Sequence, residues 1–206
     1  RYGIPLKVLG LEKDWTGGNV PKLENPGGGQ KINLLKPYLE QLEDDDILIF
    51  IDGYDVVFTG AIEEALRRFN EEFSMDVVFS AEKSCWPDSG LANKYPNTSS
   101  EYKFLNSGTF MGKVSELKKI TEEPIEDTDD DQLYYTLKLL SGNYSIQLDY
   151  ECKIFQTIEA ATKDLHYRMT EQESEGDLVN TVHKTKPIMV HGNGSFRSKI
   201  FCYQGS

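Results

Sequence analysis

The chain has 206 residues, a length that fits one α/β domain with a full-sized core. Its 34 acidic and 22 basic side chains leave a formal net charge of -12. That balance argues against nucleic acid and against an anionic membrane surface, because both demand a basic face. No apolar run reaches the length of a membrane span, and no signal peptide is recognisable.

The sequence opens at Arg1 instead of an initiator Met and reads as one domain, 1–206, cut from something longer. Ile4 to Leu9 alternates weakly and predicts a strand. Gly10 to Gly29 is a long Gly-, Pro- and Asn-rich loop, and loops of that length tend to be functional. It carries Trp15, whose ring could stack on a nucleobase or plug the edge of the core, and leads to Lys31, which could reach a phosphate. Ile32, Leu35, Leu39 and Leu42 recur at helical spacing, so Gln30 to Glu43 predicts a helix that Pro37 kinks or restarts.

Ile47 to Ile51 is an unbroken apolar run and predicts a central strand buried on both faces. Asp52 and Asp55 follow at once, around Gly53 and Tyr54. Ligands gather at the carboxyl ends of parallel strands, and paired hard oxygens there suit Mg²⁺ or Mn²⁺ together with a diphosphate. Asp and Gly are also ordinary turn residues. An acidic chain can still bind a nucleotide diphosphate when a divalent cation neutralises it.

A helix is expected over Ile62 to Phe73, a strand over Asp76 to Ala81 that ends in Glu82, and a short helix over Val114 to Glu122. Asp127 to Asp131 holds four aspartates and runs into a helical pattern from Gln132. Carboxylates in a first turn favour the helix dipole, yet four exceed what a cap requires. Ser145 to Leu148 and Ile188 to Val190 read as strands, and 157–187 as loop with short helices. His191 follows the last strand and precedes Gly192 and Gly194, where it can meet Asp52 and Asp55. Strands and helices alternate throughout, which predicts a mainly parallel sheet flanked by helices.

Cys85, Cys152 and Cys202 have no C-x-x-C spacing and build no zinc site; one disulfide with a free thiol, or three thiols, are both compatible. Sequons stand at Asn97, Asn143 and Asn193 and hint at a secretory compartment, with Asn193 placed in a Gly-rich motif where a glycan is not expected.

Nine motifs occur in order: Trp15-x-Gly-Gly, Gly-Gly-Gly-Gln-Lys (27–31), Asp-Gly-Tyr-Asp-Val (52–56), Ser-Ala-Glu (80–82), Cys-Trp-Pro (85–87), Phe-Leu-Asn-Ser-Gly (104–108), Asp-Asp-Asp-Gln-Leu (129–133), Ile-Phe-Gln (154–156) and Val-His-Gly-Asn-Gly (190–194). Together they resemble the N-terminal glycosyltransferase domain of the procollagen-lysine hydroxylase/glycosyltransferase family. The resemblance implies a GT-A-like, Rossmann-type fold, Mn²⁺, a UDP-glucose or UDP-galactose donor, and hydroxylysine of collagen as acceptor in the endoplasmic reticulum lumen. It implies that Asp52, Asp55 and His191 bind the metal, and that Trp15, Tyr54, Val20 and Lys31 contact UDP. It places Glu82, Trp86, Asn106 and Asn193 around the donor sugar, and assigns Asp130 and Asp131 to transfer. GT-A folds begin with a strand that here would precede Arg1. Rival readings are a related transferase with a non-collagen acceptor, and a silent domain that supports or dimerises a hydroxylase through domains outside this stretch.

Overall fold

The computed structural model describes residues 6–18, 27–169 and 176–194. Its helices are α1 (Gly29–Leu39), α2 (Ile62–Glu72), α3 (Val114–Ile120) and α4 (Asp131–Ser141). Its strands are β1 (Ile47–Ile51), β2 (Val56–Phe58), β3 (Val77–Glu82), β4 (Phe104–Lys113), β5 (Ile146–Asp149), β6 (Phe155–Thr157), β7 (Leu165–Met169), β8 (Gly176–Asn180) and β9 (Met189–His191). The main sheet has the order β1-β4-β3-β5, a second has β2-β9-β6, and β7-β8 form a hairpin.

Period-2 alternation along β3 divides the interior into two cores. Val77 and Phe79 face a cluster with Ile32, Leu35 and Leu39 of α1, Leu117 and Ile120 of α3 and Tyr135 of α4. Val78 faces the opposite cluster with Ala65 and Phe69 of α2, Ile154, Phe155 and Met189. The main sheet is thus covered by three helices on one face and by α2 with the second sheet on the other. The α/β architecture expected from the alternating pattern is present.

Several details differ from that expectation. β1, β3 and β5 point the same way, but β4 runs antiparallel between β1 and β3, so the sheet is mixed and only β3–β5 pair in parallel. The sequence carries no strand signal over β4, because Asn106-Ser107-Gly108-Thr109 breaks the apolar alternation. β1 is an edge strand with all five residues half-buried, not a central strand buried on both faces; among the described residues β4 is its one neighbour. A run of Ile and Leu reports apolarity, and apolarity alone does not fix a strand's place in the sheet. Residues 6–9 form no strand, and residues 4 and 5 of the expected strand lie outside the described residues. The first helix ends at Leu39, two residues beyond Pro37, and does not continue to Glu43. Within 157–187, expected as loop with short helices, the chain has a 3₁₀ turn over Thr162–Asp164 but also forms the hairpin β7–β8. Cys85 and Cys152 are both free thiols, half-buried and buried respectively; Cys202 lies outside the described residues.

One buried carboxylate joins the two sheets. Asp149 ends β5, is 1% exposed, and accepts from the backbone N–H groups of Lys153 (2.9 Å), Ile154 (2.7 Å) and Phe155 (2.9 Å). Those bonds turn the chain out of the main sheet into β6, which pairs with β9 and thereby sets the height of His191. Asp149→Ala leaves two buried donors and one part-buried donor without their acceptor and is expected to cost about 3 kcal/mol in urea denaturation. A change under about 1 kcal/mol would show that the turn holds without the carboxylate.

Candidate functional site

The site forms where β1, β2 and β9 meet the bulge in β4. Opposite β3, the pairing jumps from Phe79↔Phe110 to Ser80↔Asn106, so Ser107, Gly108 and Thr109 are extra residues on β4. Such an insertion re-aims side chains. Here Asn106 turns inward: its Oδ1 accepts from Gly108 N–H at 3.1 Å and lies 3.0 Å from Nδ1 of His191. Because that oxygen is an acceptor, His191 Nδ1 donates, and in the neutral ring Nε2 carries the lone pair.

Nε2 is buried without a hydrogen-bond partner, 3.5 Å from Asp55 and 3.8 Å from Asp52. One ligand atom from each of Asp52, Asp55 and His191 can be chosen so that all lie within 4.8 Å of one another. A buried, lone-pair-bearing nitrogen aimed at two carboxylates is costly unless a cation lies between them. The donor set of two hard oxygens and one imidazole fits a divalent cation such as Mn²⁺.

Gly108 is what lets the imidazole in. A Cβ there would stand 2.1 Å from Cε1 and 2.7 Å from Nε2 of His191. Its carbonyl also accepts from Asp52 N–H at 2.8 Å, fixing the first residue of the Asp-Gly-Tyr-Asp turn. Tyr54, at the crest of that turn, is 90% exposed.

A second layer joins the cluster to the aspartate run. Lys31 Nζ lies 2.6 Å from Asp131 Oδ2 and 3.1 Å from Asp52 Oδ1. Burial works against the charged amine, but the two carboxylates outweigh it and raise its pKa. Each of the four aspartates has a definite partner. Asp127 accepts from Thr16 Oγ1 (2.5 Å) and Asn33 Nδ2 (2.8 Å), Asp129 from Glu126 N–H (3.0 Å), and Asp130 caps α4 through Leu133 N–H (2.6 Å). Asp131 takes Lys31. Burial pushes the Asp130 carboxyl up to about 6.

A family model described as the PLOD GT domain matches residues 1–204. The chain belongs to that family. The multifunctional procollagen lysine hydroxylase and glycosyltransferase of Caenorhabditis elegans is 40% identical over 207 residues, covering 97% of this chain and 28% of the worm protein. The procollagen-lysine,2-oxoglutarate 5-dioxygenase of Drosophila melanogaster is 37% identical over 211 residues, covering 98% of this chain and 28% of the fly protein. The chain therefore spans little more than a quarter of the length of these relatives. A solved structure of the galactosyltransferase LgtC with donor and acceptor sugar analogs aligns with a TM-score of 0.44 at 9% identity, over 79% of this chain and 59% of that one.

In this PLOD GT domain the remaining expected site residues divide into two groups. Glu82, Asn106 and Asn193 are buried in one polar knot. Asn193 Nδ2 donates to Glu82 Oε2 at 2.7 Å, while its Oδ1 accepts from Ile158 and Glu159 N–H. Trp86 (41% exposed) and Trp15 (52% exposed) present their rings at the surface. Trp15 folds over its own loop, with Nε1 donating to Gly18 O at 2.8 Å. Val20 lies outside the described residues.

Gln132 joins the polar knot as a further site residue. Its Nε2 donates to Glu82 Oε1 (2.6 Å) and Trp86 O (3.2 Å), and its Oε1 accepts from Ser107 N–H (3.2 Å). A Gln beside charged residues in a first helical turn carries no sequence signal for burial. Gly108 carries such a signal only once β4 is known to be a strand, since a glycine inside a strand marks a bulge or a close approach.

Burial pushes the Glu82 carboxyl up to about 7, against the bonds from Gln132 and Asn193 that favour its ionised form. The folded chain thus holds a proton that the unfolded chain releases near 4.5. Its contribution to stability is complete below about pH 4.5 and is lost as pH rises towards 7, on the order of 3 kcal/mol. Glu82→Gln should flatten the fall in denaturation free energy between about pH 5 and 8. Parallel pH profiles for wild type and variant would show a normally ionised Glu82.

Proposed function

We propose that this domain is a metal-dependent hexosyltransferase that moves glucose from UDP-glucose to galactosyl-hydroxylysine, or galactose from UDP-galactose to hydroxylysine, on collagen-like chains in the endoplasmic reticulum lumen. Membership of the PLOD GT domain family supports the class of reaction. The observation that carries the reading is the buried, partnerless His191 Nε2 facing Asp52 and Asp55.

Mn²⁺ held by Asp52, Asp55 and His191 would supply Lewis-acid neutralisation of the leaving diphosphate. The chain's own residues do the rest. Asn106 keeps the His191 ring in the tautomer whose Nε2 can bind a cation. The exposed faces of Tyr54 and Trp15 offer stacking surfaces to the uridine, with Val20 assigned there by resemblance. Lys31 brings a positive charge to the diphosphate end. Glu82, Gln132, Asn193 and Trp86 form the wall on the donor-sugar side. Asp130 and Asp131, at the mouth of α4, supply negative charge towards an acceptor or a developing positive anomeric carbon.

The negative surface suits an acceptor that carries a cationic hydroxylysine amine. A single catalytic domain over 1–206 belongs to this reading, as does membership of a longer hydroxylase that dimerises through its other domains.

Asp52→Ala and Asp55→Ala are expected to abolish Mn²⁺-dependent UDP binding in calorimetry while the melting temperature stays within a few degrees of wild type. Unchanged UDP affinity in both variants would remove the metal assignment. Incubation with each UDP-hexose and hydroxylysine- or galactosyl-hydroxylysine-bearing collagen peptides then reads the acceptor. Metal-dependent release of UDP without transfer to either peptide would point to a different acceptor, and no release to a silent domain.

A further inference from the structure

Asp52 is held by two kinds of partner. On one side it belongs to the cluster with Asp55 and His191; on the other its Oδ1 lies 3.1 Å from the ammonium of Lys31. The same ammonium lies closer, at 2.6 Å, to Asp131 in the first turn of α4. Lys31 itself is fixed in α1, and its side chain is mostly covered. A single amine thus bridges a carboxylate of the cation site and a carboxylate of the aspartate run.

We propose that Lys31 is an exchangeable counter-ion that couples the aspartate run to metal loading: it competes with a divalent cation for Asp52, and Asp131 draws it away. This rests on the reading of Asp52, Asp55 and His191 as the metal site. A fixed positive charge beside the site repels a divalent cation, and a hydrogen bond to Asp52 occupies a lone pair the cation would use. Asp131 offsets both effects by giving the ammonium a second partner. In this role Asp131 is a positioning residue that acts on the site through Lys31. A diphosphate arriving with the metal would give Lys31 an anion in place of Asp52.

The geometry of Gly28 supports a held position for Asp131. A Cβ on Gly28 would stand 2.3 Å from Asp131 Oδ1, so the glycine is the space in which that carboxylate sits. Gly29 N–H donates to Asp129 O at 2.8 Å, tying the start of α1 to the aspartate run by backbone. Lys31 and Asp131 are therefore placed by two elements that are stitched together, while Asp52 sits on the separate turn after β1.

The test is Mn²⁺ binding to the nucleotide-free protein, read from the paramagnetic resonance signal of the free aqua ion at fixed ionic strength. Lys31→Met is expected to tighten Mn²⁺ binding about tenfold, the scale of removing a like charge from a partly buried site. Asp131→Asn is expected to weaken it about fivefold or more in the wild-type background, because Lys31 then leans on Asp52 alone. In the Lys31→Met background the same Asp131→Asn change should have a clearly smaller effect. Simple loss of one distant negative charge would weaken binding equally in both backgrounds, so additive effects would overturn the coupling. Removing the ammonium leaves two covered carboxylates uncompensated and can unfold the chain. Lys31→Gln, which keeps donors to both carboxylates without the charge, is the second variant, and it should tighten Mn²⁺ binding in the same direction. Wild type that binds Mn²⁺ while both Lys31 variants bind it no more tightly would leave the metal site standing and refute the counter-ion role. Wild type that binds no Mn²⁺ would overturn the metal site and the coupling with it.

Discussion

The site depends on a backbone clamp in which Gly27 to Gly29 join the Trp15 loop to the aspartate run. Gly28 N–H donates to Gly17 O, Gly29 N–H to Asp129 O and Gln30 N–H to Asp127 O, at 2.8, 2.8 and 3.1 Å. The approach is closer than any side chain allows: a Cβ on Gly27 would stand 1.8 Å from Gly17 O, and one on Gly29 2.0 Å from Glu126 O. Gly27 and Gly28 also adopt positive φ, 73° and 110°, which other residues enter only under strain. Because the three glycines fit, α1 starts at the aspartate run, and Lys31, in its first turn, reaches Asp131. Gln30 extends the same clamp to the Trp15 loop, donating to Asp14 O and accepting from Thr16 N–H.

The bulge in β4 performs the matching task on the opposite side. It supplies an amide oxygen for His191 Nδ1, a carbonyl for Asp52 N–H, and a gap over Gly108 wide enough for an imidazole. Clamp and bulge both give a ligand-binding side chain the room or the acceptor it needs, which is how a small set of glycines can help fix a site made of carboxylates and imidazole.

Much of this was legible in the sequence, and the parts that were not share a cause. Asp52, Asp55 and His191 stood at strand ends in the chain's own pattern, and the structure brings them within 4.8 Å. Local spacing identified α1 to α4 within a few residues, because a helix declares its buried face every three or four positions. The antiparallel insertion of β4 and the edge position of β1 were hidden, because strand order is set by contacts distant along the chain. The aspartate run does exceed what a cap requires: Asp130 alone caps α4, and the other three hold other parts of the fold. Asp127, Asp129, Asp130 and Asp131 bind Thr16, the Glu126 amide, the Leu133 amide and Lys31 in turn. Only the fold could reveal Thr16 and Lys31 as partners, since they lie about a hundred residues earlier.

The amide of Asn193 has a consequence for biosynthesis. It stands in an Asn-x-Ser sequon, yet both ends of its side chain are committed, to Glu82 on one side and to the Ile158 and Glu159 amides on the other. Asn97 and Asn143, the other two sequon asparagines, are exposed. In a secretory compartment a sugar on Asn193 and a folded site exclude each other, because the linkage converts the donating amide and fills a space that is already closed. A glycan found there would therefore mark molecules in which this polar knot has not closed.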